Sequence, residues 1–577
     1  MTLEQVAVGA SLIWLVFELI RGKFAPAAVF VATAFAFLLF DFISLRQTLQ
    51  QLTNTGLITV VVLMLLSVVL NKAQLVEVMI ERLVRGPYRF ALAKLYVVTA
   101  STSAFVNNTA VVAALLGPVR MNRQHAASRL LLPMCYAASL GGVLTLVGTS
   151  TNLLVSGLLE GQNMTPLRLF DLFPVGVLIV IACGAVMVVT LPWLLEESPA
   201  TYDQSSDYFL EASVSADSVL VGKSVEQGGL RRLAHLFLSE IVRGGRVIAP
   251  VQPDEVVQAD DLLVFTGDIT RLDVLTRFAG LHTHGQHYRL PMDNLVEVVI
   301  SAGSTLARQT IRESNFRSQF DAAVIAVRRG KDKLLGPIAN IPLQVGDTLV
   351  LVVGKDFEKR NNLTRNFVVV SRHQVQKFVD PLKGVVALIG FIGAIVLSAV
   401  GLVDFLKALL ILLALFLLLG FTKIAELRRS IPYDLIAIIA SALVISEVMI
   451  SSGVAELIAH ALLLGAENMG PHWALTTIII LTWLLTELMS NNAAAALSFP
   501  VAVGVAQQLG LSPMPFVMAV LYGASCSFLT PYGYQTNLMV MSPGRYALRD
   551  FVRCGFPVAI VFLAVTIVAV PVFFPFK

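Results

Sequence analysis

Two asparagine pairs sit where asparagine is costly. Asn107-Asn108 interrupts an apolar run from Leu95 to Val119, and Asn491-Asn492 interrupts another from Trp473 to Gln507. A side-chain amide in hydrocarbon has no partner unless the protein supplies one. If the helix breaks there, freed carbonyls and amide oxygens can cage a hard cation such as sodium. The same break offers the N–H groups and positive dipole end of a half-helix to an anion. About one helix later each half carries a second polar stretch, Gly148-Thr-Ser-Thr-Asn152 and Thr530-Pro-Tyr-Gly-Tyr-Gln-Thr-Asn537. Glycine and proline permit an open backbone there, and hydroxyls and amides supply ligands. None of these stretches contains Lys or Arg. An anion held between them must therefore be met by dipoles, hydroxyls and a co-bound cation, which predicts coupled binding. Single asparagine pairs can serve as ordinary interhelical bonds; recurrence of the whole pattern in both halves points to a binding site. Glu447 and Glu487, at membrane depth, read as packing groups with satisfied oxygens, with proton transfer as the alternative.

The elements that must position these residues follow from composition. The chain has 577 residues, 56% hydrophobic and 14% charged, with a mean hydropathy of +0.78. That is too apolar for a soluble protein and places most of the chain in the lipid bilayer. The net charge of +4 is small, and its basic residues lie in short clusters between apolar runs, so no nucleic-acid surface is implied. Val6 to Ile20 reads as a first spanning helix rather than a removed signal. Arg21 and Lys23; Arg82, Arg85, Arg89 and Lys94; and Arg120, Arg123 and Arg129 mark three cytoplasmic loops by the positive-inside rule. The run at about 95–119 has both ends on that side and is predicted to be a re-entrant hairpin. In the second half, Lys423, Arg428 and Arg429, then Arg545, Arg549 and Arg553, mark cytoplasmic loops, whereas Ser451 to Pro513 has no Lys or Arg. The run at about 473–507 therefore enters from outside.

Equal element order with opposite orientation is the inverted-repeat architecture of secondary transporters. Tyr136-Ala-Ala-Ser139 matches Tyr522-Gly-Ala-Ser525; Asn108 to Asn152 spans 44 positions and Asn492 to Asn537 spans 45. The expected fold is a mostly α membrane protein, each repeat having five transmembrane helices plus one re-entrant hairpin. The first repeat covers 1–200 and the second 381–577.

Between them lies a charged insert with strand-like alternation, itself doubled. Ser218 to Val225, Arg231, Gly244-Gly245 and Asp260-Asp261 recur about 86 residues later as Ser304 to Ile311, Arg317, Arg329-Gly330 and Gly346-Asp347. Two small α+β domains are expected, at 205–285 and 286–370, each with one helical stretch. His282, His284 and His287 lie at their junction and read as solvated linker residues, metal binding being the alternative. No dinucleotide-binding glycine turn follows a strand, and no nucleophile, base and orienting group recur together, so an enzyme is not indicated. The cysteines Cys135, Cys183, Cys526 and Cys554 lack metal or disulfide spacing and read as buried small hydrophobes.

With these motifs in place, the chain resembles the divalent anion/sodium symporter family, whose members carry sulfate, dicarboxylates and citrate. The family's paired Ser-Asn-Thr motifs stand here as Asn107-Asn108-Thr109 and Ser490-Asn491-Asn492, approached by Thr486-Glu487-Leu-Met. The usual Pro-Pro before the last Asn is replaced by Ser150-Thr151 and Gln535-Thr536. The resemblance implies a homodimer in the inner (plasma) membrane, working by an elevator motion. It implies sodium ligation by Asn107, Asn108 and Gly148 at one site and by Ser490, Asn491 and Gly533 at the other. Substrate contacts would come from Asn108, Thr109, Thr149, Ser150, Asn491, Asn492 and Asn537. The insert is similar to two TrkA-C regulatory domains, a type that binds small ligands including cyclic dinucleotides. Family members bearing such inserts include sulfate transporters, which ranks sulfate above a dicarboxylate. A sodium/proton or arsenite-type antiporter, and more remotely a ligand-gated channel, are the competing readings. No Thr-Val-Gly-Tyr-Gly filter is present for the channel.

Overall fold

In the computed structural model the chain is described over residues 2–577, apart from 22, 54, 72–83, 121, 123, 163, 196–208, 231–232, 234–235, 244–245, 249–250, 268–276, 285–294, 302, 331, 335–337, 355, 358–359, 361, 371–380, 430, 432 and 464–469. Arg82, Arg123, Arg231, Gly244, Gly245 and His287 therefore lie outside the described residues.

The first half runs α1 (Leu3–Arg21), α2 (Pro26–Leu39), α3 (Leu45–Leu52), α4 (Thr55–Asn71), α5 (Tyr88–Ser103), α6 (Asn108–Arg120), α7 (Ala127–Gly142), α8 (Ser150–Gly161) and α9 (Phe173–Leu194). The break between α5 and α6 falls at the asparagine pair. The arm before it starts at Tyr88 rather than Leu95, because Pro87 sits where a helix can begin but not continue.

The second half runs α12 (Pro381–Ala399), α13 (Phe405–Leu418), α14 (Ile424–Arg429), α15 (Tyr433–Ser451), α16 (Val454–Leu463), α17 (Gly470–Leu488), α18 (Asn491–Leu509), α19 (Met514–Ser525), α20 (Gln535–Met541) and α21 (Leu548–Phe573). The order helix, Asn break, helix, helix, open stretch, short helix, long helix occurs in both halves, at α5 to α9 and at α17 to α21.

Among the described residues three helices, α1, α9 and α21, are long and apolar enough to cross a bilayer, and α15 with α16 makes a fourth span bent by 75°. Five uninterrupted crossings per half are not found. The physical reason is local: apolar runs are cut at Gly, Pro and Asn into shorter helices such as α2, α13 and α19. The core joins both halves, with Tyr136, Phe391, Phe499, Tyr522 and Phe551 buried in one continuous cluster.

The insert forms two five-stranded antiparallel sheets. The first contains β1 (Phe209–Val214), β2 (Leu236–Arg243), β3 (Arg246–Ile248), β4 (Leu262–Gly267) and β5 (Leu281–His284), in the order β3-β2-β4-β1-β5. The second contains β6 (Leu295–Ile300), β7 (Ala322–Arg329), β8 (Asp332–Lys333), β9 (Thr348–Val353) and β10 (Phe367–Val369), in the order β8-β7-β9-β6-β10.

These are the same topology, down to a bulge at Leu238/Glu240 and another at Val324/Ala326. Each sheet also carries one buried carboxylate gripped by an arginine, Arg243 to Asp261 at 2.8 Å and Arg329 to Asp347 at 2.7 Å. Both guanidinium groups are held above their ordinary range by that bond. In the second copy α10 (Phe316–Phe320) follows the turn; most of the matching residues of the first copy lie outside the described residues. A short helix, α11 (Leu363–Asn366), precedes β10.

The second sheet is docked on the membrane helices. Arg120 at the end of α6 pairs with Glu297 of β6 at 2.7 Å. The Gly330 amide donates to Ser542 Oγ at 2.8 Å, and a side chain at Gly346 would meet the Leu538 carbonyl of α20. Arg308 donates to the Lys23 carbonyl at 2.8 Å.

Candidate functional site

Both hairpin tips are closed by the same chemistry. After α5, the Asn107 side-chain oxygen accepts from the Thr109 amide at 2.9 Å; after α17, Ser490 Oγ accepts from the Ala493 amide at 3.4 Å. Asn and Ser are both good helix N-caps, so either can start the second arm.

The next residue, Asn108 or Asn491, is buried and turns back to a hydroxyl on the first arm. Ser103 Oγ lies 2.6 Å from the Asn108 amide, and Thr486 Oγ1 donates to Asn491 Oδ1 at 2.7 Å. The matched residue of Asn108 is therefore Asn491, not Asn492, and the spacing to the closing asparagine becomes 44 and 46 positions. Asn108 is best oriented with its nitrogen toward Ser103 Oγ at 2.6 Å, the Ala138 carbonyl at 3.1 Å and the Gly148 carbonyl at 3.0 Å.

The open stretches after α7 and α19 are tied off alike. Asn152 donates to the carbonyls of Gly142 and Thr145 at 3.0 and 2.8 Å; Asn537 donates to those of Ser527 and Thr530 at 3.1 and 3.0 Å. Thr145 Oγ1 donates to the Ala104 carbonyl, and Thr530 Oγ1 to the Glu487 carbonyl at 3.0 Å, fastening each open stretch to its hairpin. Two glycines permit the close approach. A side chain at Gly148 would fall 2.6 Å from the Gly142 carbonyl, and one at Gly533 would fall 2.7 Å from the Thr486 carbonyl.

Asn537 closes the second open stretch. Its amide nitrogen is committed to two carbonyls and its oxygen accepts from Cys135 Sγ at 3.1 Å. It holds the break together, on a helix that packs against α6 of the first hairpin. Glu487 is likewise committed, its carboxylate accepting from the amides of Phe528, Leu529 and Thr530 at 3.0, 3.0 and 2.9 Å. Glu447 accepts from Gln162 at 3.0 Å.

The remaining residues converge across the two halves. Asn492 Oδ1 accepts from Thr151 Oγ1 at 3.0 Å and faces Ser150 Oγ at 3.4 Å, joining the second hairpin to the start of α8. On the other side the Tyr534 hydroxyl lies 2.9 Å from the Asn108 amide and bonds to the Thr149 side chain, joining the second open stretch to the first hairpin. Asn108, Thr149, Ser150, Thr151, Asn492 and Tyr534 thus form one polar cluster. A small cavity beside it is lined by Asn107, Val147 and Ser150 from these elements and by Leu63, Met64 and Phe391 from α4 and α12. Thr109 sits at the first tip, half-buried. Sequence reasoning missed Tyr534; the available signal was its place directly after Gly533, matching Thr149 after Gly148. His282 and His284 lie on β5, and no group of three or more His, Cys, Asp or Glu side chains suited to a metal occurs among the described residues.

Comparison with known proteins gives the chain's family. The family model described as Citrate transporter matches residues 12–521. A Chlamydomonas reinhardtii protein whose name calls it a sulfur deprivation response regulator is 31% identical over 95% of this chain and 98% of its own length. A transporter of Escherichia coli K12, YfbS, is 26% identical over 96% of both chains. Sodium/sulfate cotransporter 1 of C. reinhardtii is 29% identical over 61% of this chain and 42% of its own. A match that covers residues 12–521, through both hairpins and the first open stretch, shows that the chain belongs to the citrate transporter family, as a membrane transporter of anions and not an enzyme.

Proposed function

We propose that the protein is a sodium-coupled symporter of a small divalent anion, sulfate first, whose two halves are oppositely oriented repeats. The supporting observation is the single cluster in which two hairpin tips and two open stretches meet without a lysine or arginine. A dianion there needs cations from elsewhere, and oxygen-rich sites with close carbonyls suit sodium. Asn107, Asn108 and the Gly148 carbonyl would serve one sodium, and Ser490, Asn491 and the Gly533 carbonyl the other. Asn108, Thr109, Thr149, Ser150, Asn491, Asn492 and Asn537 would hold the anion, aided by the N-termini of α6, α8 and α18.

Sodium coupling and sulfate are also what the names of the C. reinhardtii cotransporters state. The second reading, a citrate or dicarboxylate symporter, is favoured by the description of the family model.

In this reading the protein lies in the inner (plasma) membrane as a homodimer and moves its binding elements by an elevator motion. The insert is cytoplasmic. Its second sheet touches the Lys23 loop, the Arg120 end of α6 and the Ser542 loop, three places that charge assigns to one side. Insert residues 205–285 and 286–370 would be two regulatory domains of the TrkA-C kind, with a small nucleotide as effector.

Uptake of labelled sulfate and succinate into proteoliposomes, with and without a sodium gradient, tests the core of this. Sulfate accumulation driven by sodium is expected. Sulfate uptake indifferent to sodium, or succinate uptake without sulfate, would overturn it.

A further inference from the structure

Tyr534 and Thr149 occupy the same place in the two open stretches. Each is the N-cap of the short helix that follows, with φ −139° and ψ 150° at Thr149 and φ −137° and ψ 139° at Tyr534. Each follows a glycine and precedes, by three residues, the asparagine that ties off its break. Two threonines here would leave matched space in both halves of the cluster. The phenol ring instead crosses from the second half to the first, where its hydroxyl meets Asn108 and Thr149. No equivalent arm crosses the other way, because a threonine side chain ends at its first branch. The ring therefore takes up room beside Asn108 and Thr149 that a threonine at position 534 would leave open.

An elongated dianion needs room for a charged group in each half of such a cradle, whereas a compact tetrahedral dianion needs only its centre. We propose that Tyr534 is the residue that sets substrate size in this transporter: its ring excludes extended dicarboxylates, and its hydroxyl holds Asn108 in place for a compact oxyanion. Steric exclusion discriminates more sharply than an added contact, because the rejected substrate meets atoms that cannot move aside. The inference rests on the anion site placed above.

The test is competition between labelled sulfate and labelled succinate in proteoliposomes under an inward sodium gradient, for wild type, Tyr534→Thr and Tyr534→Phe, read as the ratio of kcat/KM for the two anions. A ratio cancels any loss of folded protein, so a purely structural role for Tyr534 leaves it unmoved. The expected result is a shift toward succinate of tenfold or more in Tyr534→Thr. In Tyr534→Phe the exclusion persists while the KM for sulfate rises several-fold. An unchanged ratio in Tyr534→Thr, with sodium-driven sulfate uptake intact, overturns the size-setting role and leaves the symporter reading standing. Equal wild-type uptake of sulfate and succinate also overturns it, since nothing is then excluded. Wild-type uptake of neither anion removes the symporter reading and this inference together.

Discussion

Asn108 and Asn491 are buried, and each amide is placed within hydrogen-bond reach of a hydroxyl on the arm before it. Truncating Asn108 takes a partner from Ser103 Oγ and from the Ala138 and Gly148 carbonyls, at about 1–3 kcal/mol, whereas truncating Asn491 leaves Thr486 Oγ1 its bond to the Ala524 carbonyl; each removes a proposed ligand of both sodium and anion. Asn108→Ala and Asn491→Ala are each expected to lower sodium-driven uptake at least a hundredfold while the protein still elutes as a folded oligomer. Near wild-type uptake in both would show the site misplaced. Glu487 makes a different case. Its carboxylate takes three backbone amides that the break after α19 leaves without helical partners. An amide side chain has one acceptor atom and would turn an N–H toward at least one of those donors. Glu487→Gln should therefore lower thermal stability by about 1–3 kcal/mol and leave the ion dependence of uptake unchanged. A switch in pH dependence of uptake would instead mark Glu487 as a proton carrier. The asparagine pairs were legible in the sequence because polar residues inside apolar runs stand out. The partners of Asn108 and Asn537 were not, since Tyr534 and Cys135 lie more than 400 residues away along the chain.

Hairpins and broken helices were legible as elements for the same reason that they are short: each ends where an apolar run meets Gly, Pro or a capping Asn or Ser. Number and length of crossings were less legible, because an apolar run records burial in lipid or protein without recording a bend. The 75° turn between α15 and α16, at Ser452-Gly453, falls inside one such run. What the proposed function needs from these elements is that the α5–α6 hairpin open to the cytoplasm and the α17–α18 hairpin to the outside. The four native cysteines are all buried, so an impermeant thiol reagent should label the unmodified protein slowly. Exposed positions at the two hairpin bases, Arg85 and Gln507, then serve as reporters. Arg85→Cys is expected to react only in inside-out vesicles and Gln507→Cys only in right-side-out ones. Reaction of both from one side would exclude oppositely oriented halves, whatever the substrate.

At the scale of the whole molecule, the insert's second sheet is fastened to elements that carry the site, not merely tethered between the two membrane halves. Its grip on α6 is an ion pair, Arg120 to Glu297; its grip on α20 and the following loop is a buried bond to Ser542 and backbone contact at Gly346. It also holds the Lys23 loop between α1 and α2, so one body spans the site-bearing hairpin and a helix pair outside the site. This docking was not legible from composition, because it is made by glycines and single charges in turns. If α6 and α20 move relative to α1 and α2 during transport, the sheet must release one set of contacts in each cycle, and their strength enters the rate. A partly exposed ion pair contributes up to about 1 kcal/mol, which is roughly fivefold in an equilibrium. Arg120→Glu places two carboxylates against each other and is expected to change the sodium-driven uptake rate by two- to fivefold. The reversed pair, Arg120→Glu with Glu297→Arg, should return it toward wild type, because the attraction is restored with its sign exchanged. Rates equal to wild type in the single variant would mean that the insert rides with the binding elements through the whole cycle and does not brake them.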